Sequence, residues 1–129
     1  MSFLPEADKD FLEEKQLDFR EVQSNSHKGL ILHNYSLPSG KYDRDAVDLL
    51  IVLPQGYPDT MPDMFYLFPE ALLMPDKKYA KATNVKFDFE NKSWQRWSRH
   101  LSAKSWRPGV DGLHTYLKRV EEALQVATP

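Results

Sequence analysis

The chain has 129 residues, a formal net charge of −2 from 17 Lys and Arg against 19 Asp and Glu, and no cysteine. The missing thiol excludes disulfides, thiolate metal sites and a cysteine nucleophile, and the closely mixed charges argue against nucleic acid as a main partner. No apolar stretch approaches the roughly 20 residues needed to cross a bilayer, and Pro5, Glu6 and Asp8 stand where a signal peptide would be basic and then apolar, so a cytoplasmic protein without a membrane partner is expected.

Pro5 suits a first helical position, Glu6 and Asp8 sit near the positive end of the dipole, and Leu4, Ala7, Phe11 and Leu12 share one face, which predicts a short N-terminal helix. Phe19 and Val22, the polar turn Ser24 to Ser26, and the run Gly29 to Leu37 predict two antiparallel strands. After the loop Pro38 to Asp45, the almost continuously apolar Val47 to Leu53 predicts a central strand buried on both faces, and Met64 to Phe68 the next. Short connections without a helical crossover make this a meander. Pro69 to Phe89 predicts a loop with one short strand at Val85 to Phe89. Ser93 to Pro108 holds all three tryptophans and ends at the break Pro108-Gly109. Val110, Leu113, Leu117, Val120 and Leu124 then mark one face of a closing helix. Length and the absence of any linker predict one domain over 1–129, burying about two thirds of the surface its unfolded chain exposes.

Prolines at 54, 58, 62 and 69 bracket two apolar runs around Tyr57. Each proline fixes φ near about −65° and removes a donor, so Asp59 to Met61 must form a rigid turn between strands. Pro54-x-x-Tyr57-Pro58 followed by Pro62 resembles the proline signature of ubiquitin-conjugating enzymes, with Met61 where the first residue of the usual proline pair stands. Trp106-x-Pro108 before an amphipathic helix resembles the W-x-P that follows the active-site loop in the same family. The segment Trp94 to His100, taken with Trp106 to Asp111, is similar to a bacterial branch, the prokaryotic ubiquitin-conjugating-like family E.

That resemblance implies an α+β fold: an N-terminal helix, a four-stranded antiparallel meander, an irregular loop and a C-terminal helix. As partners it implies a ubiquitin-like protein or a ubiquitin-activating-like enzyme. Two family features are missing. The His-Pro-Asn tripeptide has no counterpart between Pro69 and Gln95, and the catalytic cysteine, expected about eight or nine residues before Trp106 and so near Trp97, is absent.

Acyl carriage needs a thiolate, because a thioester is reactive enough to pass its acyl group to an amine, whereas serine forms a much less reactive ester. Ser98 lies beside the expected cysteine position, and the neighbouring Arg96 and Arg99 are expected to push His100 toward its neutral form, so these two are the candidate catalytic residues. The alternative for each is a turn serine and a hydrogen-bonded loop histidine. A Ser98, His100 and Asp111 triad, or metal ligation by His100, His114 and Asp111, lacks the supporting motifs, and no cofactor or metal is expected. Trp94, Trp97 and Trp106 interleaved with Arg96, Arg99 and Arg107 are the candidate binding residues. They present either a stacking or hot-spot surface, or indoles packed under arginine stems, with packing the favoured reading. The arginine forks suit carboxylates, including the terminal carboxylate of a ubiquitin-like tail. His27 and His33 are expected on a solvated face, and Leu72, Leu73 and Met74 form either an exposed patch or packing under the loop. Two functions follow as expectations: a noncatalytic binding protein, or an acyl carrier using Ser98, or a native cysteine replaced in this sequence, with His100 assisting.

Overall fold

The computed structural model describes residues 2–24, 26–99 and 105–129. These form α1 (Glu6–Glu14), β1 (Phe19–Ser24), β2 (His27–Ser36), β3 (Ala46–Leu53), β4 (Phe65–Phe68), β5 (Lys86–Phe89), β6 (Lys92–Trp97) and α2 (Leu113–Val126). The fold is α+β. Its antiparallel sheet has six strands in the order β1-β2-β3-β4-β6-β5, two more than the four expected. Of the added pair, β5 is the short strand expected at Val85 to Phe89, and β6 comes from the first part of the Trp-rich segment, which was expected to be irregular. The β5–β6 hairpin turns through Glu90 and Asn91 at φ 53° and 60°, and Phe89 pairs with Lys92 across it. Two consecutive positive φ values suit the right-handed twist of a hairpin, but Glu is not a residue that signals them.

Both faces of the sheet are covered. On one face Leu30, Leu49, Ile51, Phe65, Leu67 and Trp97 pack with Leu12 of α1 and with Leu113, Tyr116, Val120 and Leu124 of α2. Complete burial of each such aliphatic side chain contributes on the order of 1.5–3 kcal/mol. On the other face Ile31, Leu50, Phe89 and Trp94 form a second core, bordered by Val22, Tyr66, Phe68 and Phe87. The sheet curls toward this second face until its ends meet. Arg20 of β1 donates two hydrogen bonds of 2.6 Å to the Glu90 carboxylate at the β5–β6 turn, and the His27 and Phe87 rings meet edge to face at 5.7 Å. Gly29 makes that closure possible, since a Cβ there would lie 2.8 Å from Phe89 Cζ and 2.9 Å from Leu50 Cδ1.

The helices differ from expectation in detail. Leu4 and Leu12 are buried and Phe11 half-buried, but Ala7 faces solvent and Asp8 occupies the buried position beside them at 4% exposure. Val110, expected on the apolar face of α2, precedes the helix and is exposed. At the far end of α2 the unpaired carbonyls find side-chain donors: the Tyr42 hydroxyl donates to Leu124 O at 2.5 Å and Lys41 Nζ to Gln125 O. Burial pushes the Tyr42 phenol up to about 12, so it remains a donor at neutral pH. Among the described residues no helix is long and apolar enough to cross a membrane.

Candidate functional site

The two sequence features that carry the resemblance touch each other. In the turn after β3, Tyr57 N–H donates to Pro54 O at 3.1 Å, and Asp59 and Thr60 N–H to Gly56 O at 2.9 and 3.2 Å. The Trp106 indole N–H then donates to Pro58 O at 3.0 Å, fixing the approach to α2 against the proline turn. Asp8 joins the same junction from α1. Its Oδ2 accepts from the Tyr57 hydroxyl at 2.5 Å and its Oδ1 from Leu113 N–H at 3.1 Å. Burial, and then the Asp8 hydrogen bond, push the Tyr57 phenol well above its usual range. Asp8 therefore caps α2 from another helix. Gly112, the residue before α2, has no side chain to do so, and a Cβ there would lie 2.8 Å from Asp8 Oδ1. Thr115 completes the start of the helix by accepting from Gly112 N–H at 3.1 Å.

Trp97 ends β6 on the helix side of the sheet, fully buried and stacked on Phe65 at 5.5 Å between centroids. Its indole N–H donates to Gln95 Oε1 at 3.0 Å. Ser98 follows, half-buried, with its hydroxyl directed to Met64 Sδ at 3.6 Å and its N–H bonded to Ala82 O. Among the described residues no imidazole, amine or carboxylate is hydrogen-bonded to the Ser98 hydroxyl, so nothing in them activates it. Arg99 lies over the Trp97 ring at 4.7 Å and donates from Nη1 to Lys81 O at 2.9 Å and Ser98 O at 2.8 Å. His100 lies outside the described residues. Beside Ser98 and Arg99 a groove of about 440 Å³ runs to the end of α2, walled by Lys81, Ala82, Ala123 and Ala127.

The remaining predicted residues are separated from this point. Trp94 is fully buried on the opposite face of the sheet, its indole N–H donating to Phe89 O at 3.0 Å. Arg96 is on that face too, beside Tyr66 in the β4–β6 pairing. Arg107 is exposed, and its N–H donates to Asp111 Oδ2 at 2.7 Å, which holds the Asp111 carboxyl below the usual range. Thus Trp97, Ser98 and Arg99 come together, Trp106 and Arg107 stand at the entry to α2, and Trp94 and Arg96 belong elsewhere. Neither Trp94 nor Trp97 offers ring surface to a partner in this conformation. His27 is exposed as expected, while His33 is half-buried with Nδ1 3.4 Å from Asp48. Leu73 is buried and Met74 exposed, so the loop patch divides between the two readings given for it.

Two residues that sequence reasoning passed over hold this region. Gln95, fully buried, accepts from Ala71 N–H at 2.9 Å as well as from Trp97, and donates to Ala71 O at 3.1 Å. It ties the loop after β4 to β6. Asp8 is the other. Neither has a local signal, because Asp8 acts on Tyr57 and Leu113, and Gln95 on Ala71, far along the chain.

The model of a known family, prokaryotic E2 family E, matches residues 4–127. The chain belongs to that family. No curated protein and no solved structure matches it. Membership of prokaryotic E2 family E associates the chain with ubiquitin-like conjugation.

Proposed function

We propose that this family E chain is a noncatalytic, single-domain ubiquitin-conjugating-like protein that binds a ubiquitin-like protein or its activating enzyme in a bacterial modification pathway. One observation carries the reading: the scaffold is intact where its signatures meet, while the chain has no cysteine to hold a thioester. Transfer of an acyl group to an amine at neutral pH draws on the reactivity of the thioester, and among the described residues the neighbouring Ser98 hydroxyl makes a weak contact with a thioether. Arg99 and Arg107, the candidate binding cations on the helix side, support a role in recognition. Incubating the chain with an activating enzyme, ATP and a bacterial ubiquitin-like protein tests this: a complex without covalent adduct is expected. A hydroxylamine-sensitive conjugate that disappears in Ser98→Ala would instead establish an acyl carrier.

A further inference from the structure

Strand β2 carries a bulge near its end. Its register with β3 shifts between Leu32 and Tyr35, and Asn34 there takes φ 55°. Leu30 and Leu32 face the helices and Ile31 the second core, so unbroken alternation would send Tyr35 to the second core. The extra residue turns it to the helix side instead, where it packs half-buried against the main core. There it lines a groove of about 400 Å³ between the end of β2 and the last turns of α2, together with Leu17, Leu37, Pro38, Leu124 and Glu121. By helical spacing Glu121, Leu124 and Gln125 occupy one flank of α2, while Ala123 and Ala127 beside Ser98 occupy the other, so the two grooves are separate.

Two polar groups of this groove lack a strong partner. Among the described residues Glu121 takes part in no ion pair: Lys118, one turn before it, does not reach it, and Lys41 is engaged with Gln125 O. Its carboxylate accepts one long hydrogen bond, from Gln125 Nε2 at 3.4 Å. The Tyr35 hydroxyl has no hydrogen-bond partner among the described residues. Burial pushes its phenol up to about 12 and the Glu121 carboxylate adds to the shift, so the hydroxyl keeps its proton at neutral pH and its oxygen is free to accept.

No lysine or arginine lines the groove. Apolar walls with one carboxylate at the rim suit a side chain that has an aliphatic stem and a cationic head. A compact ammonium with three rotatable donors can meet a carboxylate and a phenol oxygen on different elements. The flat fork of an arginine is matched instead to paired, coplanar acceptors.

We propose that this groove receives a lysine side chain of a partner protein, the stem lying along Leu37, Pro38 and Leu124 and the ammonium donating to the Glu121 carboxylate and the Tyr35 hydroxyl oxygen.

The test titrates the intact, nitrogen-15-labelled chain with the capped peptide acetyl-Gly-Gly-Lys-Gly-Gly amide and follows backbone amide signals by NMR. Matching peptides carry Nζ-acetyllysine, alanine or arginine at the central position, and cadaverine serves as a free diamine. The lysine peptide is expected to shift the signals of Leu37, Glu121 and Gln125 with a Kd of about 1 mM, and acetylation to weaken binding about fivefold, the effect of one partly exposed charge pair. The alanine peptide, without the stem, is expected not to bind. Glu121→Gln brings the lysine peptide down to the level of its acetylated form, Tyr35→Phe removes part of the difference, and Glu122→Gln leaves it intact. Equal binding of the lysine and acetyllysine peptides, an unchanged Kd in Glu121→Gln, tighter binding of arginine or cadaverine, shifts centred away from the groove, or no shift at all would each overturn the proposal. The peptides are compared on the unaltered chain, so they decide even where a variant does not fold. No ATP or activating enzyme is present, so the outcome is independent of the noncatalytic reading, whose failure shows itself as a covalent adduct.

Discussion

Asp8 shows how far a single residue can act from its own segment. Its sequence context places it in the first turn of α1, where a carboxylate favours the local dipole, yet its oxygens serve Tyr57 and the first N–H of α2, 105 residues away. Asp8→Ala leaves a buried phenol and a helix N–H without their acceptor, and a loss of about 2–3 kcal/mol in denaturant unfolding is expected. A loss below about 0.5 kcal/mol would mean that the junction is not tied through this carboxylate. Gln95 is the second such residue. Gln95→Leu keeps the volume but strands Ala71 N–H, Ala71 O and the Trp97 indole N–H, so a loss of about 3 kcal/mol or more is expected in the same measurement. Sequence reasoning recognises the type of a polar residue but not a partner brought to it by the fold, which is why both escaped it.

At the scale of elements, the readable parts were those whose pattern is set locally. The apolar run of β3 announced a strand buried on both faces, and the spacing Leu113, Leu117, Val120 and Leu124 announced α2. The β5–β6 hairpin was less visible. Trp94 and Trp97, three residues apart, enter opposite cores, so no alternation of apolar and polar residues marks β6, and the Glu90-Asn91 turn lacks glycine. The curl of the sheet was hidden for a related reason: Gly29 reads as an ordinary strand glycine until Phe89 is seen against it. Gly29→Ala is therefore expected to cost about 1–3 kcal/mol by forcing β5 away from β2, detected as a lower thermal midpoint and loss of near-ultraviolet circular dichroism from the second core. An unchanged midpoint would show that the two ends of the sheet do not press together.

For the molecule as a whole, three carboxylates are held by hydrogen bonds, two of them from separate segments. Arg20 holds Glu90 below its ordinary value of 4.5, Lys86 does the same for Glu70, and Arg107 N–H lowers Asp111 from 3.8. Each folded pKa lies below the unfolded one, so each contribution is complete above the unfolded value and is lost as pH falls through the folded value. A thermal midpoint that is level from pH 7 to about pH 5 and declines progressively below about pH 4.5 is the expected profile, and Glu90→Gln should flatten part of that decline. A midpoint that rises on acidification would contradict these assignments. The scaffold is thus built to persist at neutral pH with its proline turn, Trp106 and α2 locked together, whether or not it performs chemistry. The fold class and family were legible because those signatures are short and local. The status of the site rests on one missing atom type, the thiol sulfur, and on the surroundings of Ser98. Intact-mass spectrometry of the chain after incubation with activating enzyme, ATP and a bacterial ubiquitin-like protein tests this most directly. An unchanged mass, with the two proteins still eluting together on a sizing column, is the predicted result. A mass increased by that of the ubiquitin-like protein less one water, and restored by hydroxylamine, would contradict it.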